Sequence, residues 1–274
     1  MSIEFEQSHK RSHGRRTGDR YEEILLAYWC VRMILDRKIL HVMHEVRDLE
    51  PADDIVVEFT TKIECYQAKH STDQHGLISL EGLTTPASDG KPSLLHRLSE
   101  VWKELQSNDK SIEIHIYTNL AADPNLMKIL DGNKIKAEVI TQKRNDQHSR
   151  LMSSVNISSE DHKSDFFRSL RFNLRQPNVD QLINKIKKDW LNERLGLEPE
   201  EAYDRLMRHV GNWFREPKSR PIKREDVLGA LQIDTTEIQQ TFPVHWNEFI
   251  PWTSFQRKVI KILVLPLFQW VYRF

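Results

Sequence analysis

Lys69 is the residue around which chemistry is easiest to place in this chain. It closes the run Ile63-Glu64-Cys65-Tyr66-Gln67-Ala68-Lys69-His70, in which Ile63, Cys65 and Tyr66 favour an extended strand. Side chains alternate across a strand, so Gln67 and Lys69 project to one face while Tyr66, Ala68 and His70 project to the other. A second β-forming run, Ile55, Val56, Val57 and Phe59, lies just upstream, with Thr60, Thr61 and Lys62 as a polar turn between the two. Asp53 and Asp54 open that partner strand. A short hairpin of this kind allows an acid, an amide oxygen and an ammonium group to meet at one point.

Those three groups suit metal-dependent phosphodiester hydrolysis. A carboxylate and one or two further oxygens hold Mg²⁺, a hard cation that keeps several waters and accepts phosphate oxygens. The metal activates a bound water, and a lysine offsets the charge that develops on the phosphate. Asp53 and Asp54 cannot both face one point from a regular strand. Asp54 directly precedes the Ile55-Val56-Val57 run and is therefore the choice for principal metal ligand in a catalytic set with Gln67, which gives a side-chain oxygen, and Lys69, the catalytic cation. The competing reading is an ordinary ion pair between neighbouring strands, worth under about 1 kcal/mol at a surface.

The ordered set of an Asp-Asp-hydrophobic strand and Tyr66-Gln67-Ala68-Lys69-His70 resembles the restriction-endonuclease-like superfamily, known by its PD-(D/E)xK signature. The Gln67 version is similar to the Mrr-type branch. Within it the chain resembles the effector nuclease domain of bacterial anti-phage systems, the CBASS effectors and the antiviral STAND NTPases. Gly18-Asp19-Arg20-Tyr21 at a helix start and Thr118-Asn119 at the end of a later strand match the same pattern. The resemblance covers residues 11–235 and is specific over 50–70. It implies a Mg²⁺-dependent endonuclease (Mn²⁺ is an alternative) acting on double-stranded DNA, and a sensor or NTPase partner. It also implies Glu22 as a fourth candidate ligand beside Asp53, Asp54 and Gln67, and the Ala68 backbone carbonyl as a further one. Gln67 stands where the family expects Glu, which leaves one less negative charge at the metal. A non-cleaving adaptor or nucleic-acid-binding module of a defence complex is the alternative reading.

Several elements must position these residues. The apolar spacing of Tyr21, Ile24, Leu25, Tyr28, Val31, Met33, Ile34 and Leu35 predicts a helix over Arg20–Asp36, capped by Asp19. Residues 1–19, with Lys10, Arg11, Arg15 and Arg16, read as a flexible basic arm, either a frayed tail or a phosphate contact. Leu40–Arg47 alternates as a first strand that includes Glu45, and Ser71–Pro92 reads as a long loop carrying His75. A helix over Ser93–Gln106 precedes a strand in which Ile112, Ile114 and Ile116 alternate with Glu113, His115 and Tyr117. Lys134–Ile140 reads as a short strand, Gln142–Ser159 as a surface loop, and Leu170–Leu174 as a strand flanked by Arg168, Arg171 and Arg175. Those arginines either line a DNA cleft or are solvated. Helices follow over Val179–Leu195, Pro199–Phe214 and from Arg220.

The expected fold is thus α/β: a restriction-endonuclease-like core (20–176) with a mixed central sheet flanked by helices, then an all-helical C-terminal region (177–242) and an aromatic tail (243–274). The 274 residues are 39% hydrophobic and 29% charged, with 40 Lys+Arg against 40 Asp+Glu. Equal charge means that any DNA contact must come from a local patch. Two cysteines, both in apolar contexts, argue against a disulfide framework or a structural zinc site and for a reducing cytoplasm. No apolar run reads as a signal peptide or is long enough to span a bilayer, and a homo-oligomer is a further expectation because cutting both DNA strands needs two active sites.

Overall fold

A computed structural model of the chain describes residues 2–44, 55–73, 76–87, 90–106, 109–142, 146–216 and 220–233, with side chains described from residue 18 onward. Asp53, Asp54, Glu45, His75 and the aromatic tail lie outside the described residues.

A long helix, α1 (Ser2–Leu35), leads into three antiparallel strands: β1 (Ile39–His44), β2 (Ile55–Phe59) and β3 (Lys62–Lys69). A short strand β4 (Leu77–Ile78) and helices α2 (Leu80–Thr84) and α3 (Leu94–Leu105) carry the chain to β5 (Ser111–Thr118), which pairs with β3 in parallel. After β6 (Ala121–Ala122), α4 (Pro124–Ile129), the two-residue strands β7 (Leu130–Asp131) and β8 (Lys134–Ile135), and helices α5 (Ala137–Thr141), α6 (Asp146–Ser153) and α7 (Glu160–Ser169), β9 (Leu170–Asn173) joins β5, again in parallel. Helix α8 (Val179–Asn184), its π-helical continuation (Lys185–Asn192) and α9 (Pro199–Arg215) follow. The last described elements are β10 (Ile222–Lys223), antiparallel to β1, and α10 (Arg224–Leu231). The result is an α/β fold on one mixed six-stranded sheet, ordered β10-β1-β2-β3-β5-β9.

Helices cover both faces, so β3 is buried along nearly its whole length and shows no simple inside–outside alternation. On one face Ile63, Cys65, Ile112, Ile114, Ile116, Leu170 and Phe172 pack with Leu95, Leu98 and Trp102 of α3 and with Phe166 and Phe167 of α7. The other face receives α1: Trp29 lies 4.8 Å from Tyr66, and Tyr28 lies 4.4 Å from Trp190 of the π-helical turn. Arg224 of α10 ties the end of α1 down by donating to the Ile34 and Asp36 carbonyls at 2.9 and 3.1 Å.

Several boundaries depart from the sequence expectations. The first helix begins at Ser2, so Asp19 is an interior residue and the basic arm is helical backbone. The Glu, Gln, Lys and Arg of 2–18 are good helix formers, and interior Gly14 and Gly18 cost only about 1 kcal/mol each. Lys62 belongs to β3, leaving Thr60 and Thr61 as the turn. The expected loop over 71–92 contains β4 and α2, whose Ser79 cap accepts from the Gly82 N–H. In 142–159, α6 buries His148, Leu151 and Met152, an apolar stripe too short to stand out among polar neighbours. Lys134–Ile140 divides into β8 and α5. Helix α7 runs to Ser169, so only Leu170–Asn173 of that stretch is strand. The segment from 177 contributes β10 to the sheet edge as well as helices. Gly196 adopts φ +67, the left-handed turn expected after a helix end.

His44, at the end of β1, stacks on Phe214 of α9 at 3.9 Å, and its Nε2 has no hydrogen-bond partner among the described residues. Burial pushes its pKa down to about 4 from 6.5. Between those values the unfolded chain binds a proton that the folded chain refuses, so stability is full above the upper value and falls with pH across that window. The expected outcome is a melting temperature that declines between neutral pH and about pH 4. In His44→Phe, which keeps the stacking and removes the titration, the decline is shallower, by up to about 3 kcal/mol. Calorimetry of both proteins across that range checks it.

Candidate functional site at the carboxyl end of the central strands

Lys69 is the last residue of β3 and is exposed, whereas Gln67, two residues earlier on the same strand face, is buried. The register sets Gln67 opposite Ile116 and Lys69 opposite Thr118 of β5. Just past this point the chain is clamped. The Ser71 N–H donates to Asn119 Oδ1 at 3.0 Å, and Asn119 Nδ2 donates to the Ser71 carbonyl at 2.7 Å. Thr118 holds the next turn, its Oγ1 accepting from the Leu120 N–H at 3.1 Å and its carbonyl from the Gln176 N–H at 2.9 Å. Parallel pairing then resumes in a two-stranded ladder, Leu77 opposite Ala121 and Ile78 opposite Ala122. The rim beyond β3 and β5 is therefore built from ordered backbone, and the carboxyl ends of parallel strands are where open α/β sheets place their ligands.

Glu22 is half-buried on α1. Its neighbour Tyr21 packs against His70, the residue after Lys69, with ring centroids 4.6 Å apart, and donates from its hydroxyl to the Pro177 carbonyl at 3.1 Å. Burial lowers the pKa of His70. The structure thus brings Gln67 and Lys69 to one strand face, whereas Glu22 lies on α1, the helix that covers the opposite face through the contacts of Tyr21 with His70 and of Trp29 with Tyr66. Ile55, the residue that follows Asp54 in the chain, lies opposite Tyr66, the residue that precedes Gln67. Asp53 and Asp54 themselves fall outside the described residues. The donor set of Asp54, Gln67, Asp53 and Glu22 is all oxygen, which fits a hard cation such as Mg²⁺.

A second polar group went unread in the sequence. On the α1 face of the same parallel pair, Glu64 sits directly opposite Glu113, and Tyr66 opposite His115. Lys62 Nζ bridges the two acids, 2.5 Å from Glu64 Oε1 and 2.8 Å from Glu113 Oε2. Arg171 of β9 holds Glu113 Oε1 at 2.6 Å, and the Tyr66 hydroxyl donates to Glu64 Oε2. The expectation that Arg171 lines a cleft or is solvated is therefore replaced by an ion pair inside the fold, while Arg168 pairs with Asp165 at the surface and Arg175 is exposed. Desolvation pulls the Lys62 pKa down, but its hydrogen bonds to Glu113 and Glu64 prevail and raise it. Desolvation pushes Glu113 up, and the bond to Lys62 together with the Arg171 charge brings it below the ordinary value. Burial takes His115 down to about 4, against the pull of both acids.

Glu64, Glu113 and His115 can hold a metal ion: one ligand atom from each lies within 4.8 Å of the others. The signal in the sequence was the polar alternation of Lys62, Glu64 and Tyr66 with Glu113 and His115, which reads as a solvated strand face until the register and α1 bury it.

No protein-family model matches the chain, and no curated protein matches it. Among the described residues, no helix is long and apolar enough to cross a membrane.

The Asn119 clamp makes a direct prediction. Asn119→Ala removes two hydrogen bonds from the Ser71 backbone and is expected to cost about 1–3 kcal/mol. The Ser71 amide should lose protection in hydrogen exchange while amides of β2 keep theirs. Unchanged protection at Ser71 would show that the clamp does not order the rim.

Proposed function

We propose that this chain is a metal-dependent DNA endonuclease of the restriction-endonuclease-like type, acting as an effector in anti-phage defence. The observation that supports it most is the pairing of a buried Gln67 with an exposed Lys69 on one face at the carboxyl end of β3, next to a rim ordered by Thr118 and Asn119. A buried amide followed by a surface cation gives one group suited to binding a metal and one suited to meeting a phosphate.

In this reading Asp54 and Gln67, with Asp53 or Glu22, would hold Mg²⁺ or Mn²⁺. When bound, the metal supplies Lewis-acid polarisation of the phosphate and a more acidic water. Lys69 positions that water and offsets charge on the scissile phosphate. Exposure leaves the ammonium accessible to a polyanion as large as duplex DNA, while the clamp beyond it limits the freedom of the strand end. Double-stranded DNA is the substrate, and a sensor or NTPase subunit is the expected partner.

The test is cleavage of linear and supercoiled plasmid with Mg²⁺ or Mn²⁺, comparing wild type with Lys69→Ala. Loss of the lysine is expected to slow cleavage by on the order of a hundredfold or more, with DNA binding retained in a mobility-shift assay. Cleavage that Lys69→Ala leaves intact would remove the site assignment. DNA binding without cleavage by wild type would favour the non-cleaving nucleic-acid-binding module.

A further inference from the structure

We infer that Glu64, Glu113 and His115 form a second metal site, selective for a borderline divalent ion such as Zn²⁺, in which Lys62 and the ion are alternative occupants. The site lies on the α1 face of the sheet and uses none of the residues assigned to catalysis.

The argument begins with the strands. Two carboxylates placed directly opposite each other on paired strands repel, so this register requires a positive charge between them. Lys62 supplies it with one ammonium that reaches both acids, and Arg171 takes the far oxygen of Glu113. All four carboxylate oxygens are thus engaged, but the histidine is not. His115 is 8% exposed, and its Nε2 has no hydrogen-bond partner among the described residues. Its Nδ1 lies 2.8 Å from Asn173 Nδ2, and its ring stacks on Tyr66 at 4.5 Å. One ring nitrogen is therefore oriented by an amide and the other is left bare, the usual arrangement of a metal-binding histidine and its supporting partner. With the Asn173 amide turned so that its oxygen accepts from Nδ1–H, Nε2 presents a lone pair.

The occupancy of the site by lysine explains why it can exchange. The Lys62 side chain is 34% exposed, whereas those of Glu64 and Glu113 are 8% and 21% exposed. Lys62 can swing to solvent without moving a strand, and it leaves behind two carboxylates and an imidazole, three protein ligands to which a water would be the fourth. Two oxygens and a nitrogen suit Zn²⁺, and the imidazole disfavours Mg²⁺. Arg171 and the Tyr66 hydroxyl would stay as partners of the ligating acids.

The experiment is titration of the full chain with Zn²⁺ by calorimetry, and with Co²⁺ by visible absorption, which reports the ligand field directly. Wild type should bind one ion that His115→Gln and Glu113→Gln each weaken by on the order of tenfold or more. Lys62→Met should bind it more tightly, and Lys69→Ala should bind as wild type does. Circular dichroism of each variant establishes folding, and the Co²⁺ spectrum of wild type stands even where a variant fails to fold. Absence of a Co²⁺ ligand-field band in wild type at millimolar ion would overturn the site. So would binding that neither His115→Gln nor Glu113→Gln alters. Equal affinity in Lys62→Met would overturn the exchange. The readout is binding, so the result is independent of whether the chain cuts DNA.

Discussion

The parallel pairing of β3 with β5, from Lys62 opposite Ser111 to Lys69 opposite Thr118, is the constraint on which the rest depends. It holds because one face of both strands is apolar and packed. A slip of β3 by one residue against β5 would turn Ile63 and Cys65 toward α1 and drive Glu64 into the core cluster. Hydrophobic burial on one face therefore dictates which polar groups meet on the other. Glu64 faces Glu113 as a consequence of where isoleucines must go, and Lys62 and Arg171 resolve the repulsion that follows.

The same strand pair behaves differently at its two ends. At the amino end, charged groups are neutralised among themselves, with α1 packed over the middle of the face through Trp29 and Tyr66. At the carboxyl end, the strands give way to turns whose polar backbone must find partners, and Asn119 and Thr118 provide them. Lys69 stands between these regimes, beyond the burial that takes in Gln67 and just before the clamp. A cation in that place is held by the strand and open to solvent.

The helical elements contribute by closure. Helix α1 covers one face, meets the rim through Tyr21 and His70, and is held at its far end by Arg224 of α10. β10 shields the β1 edge by pairing with it, and the buried His44 stacks where β1 meets α9. Elements distant in the chain thereby stabilise the hairpin that presents Gln67 and Lys69.

The sequence alone determined the elements whose information is local. The β2–β3 hairpin, the alternating isoleucines of β5, the apolar stripe of α3 and the α/β class were legible because period and propensity act over a few residues. So was the shared face of Gln67 and Lys69, which follows from strand alternation. Short elements such as β4, α2, α6 and β10 were not legible, since they persist through packing and pairing rather than propensity. The Glu64–Glu113–His115 group was decided by tertiary structure: nothing local states that residues 64 and 113 are opposite each other, or that α1 removes their face from water. Strand alternation assigns a residue to a face, whereas only register and the covering helix assign it neighbours and a dielectric, and those two quantities turn separate polar side chains into a site.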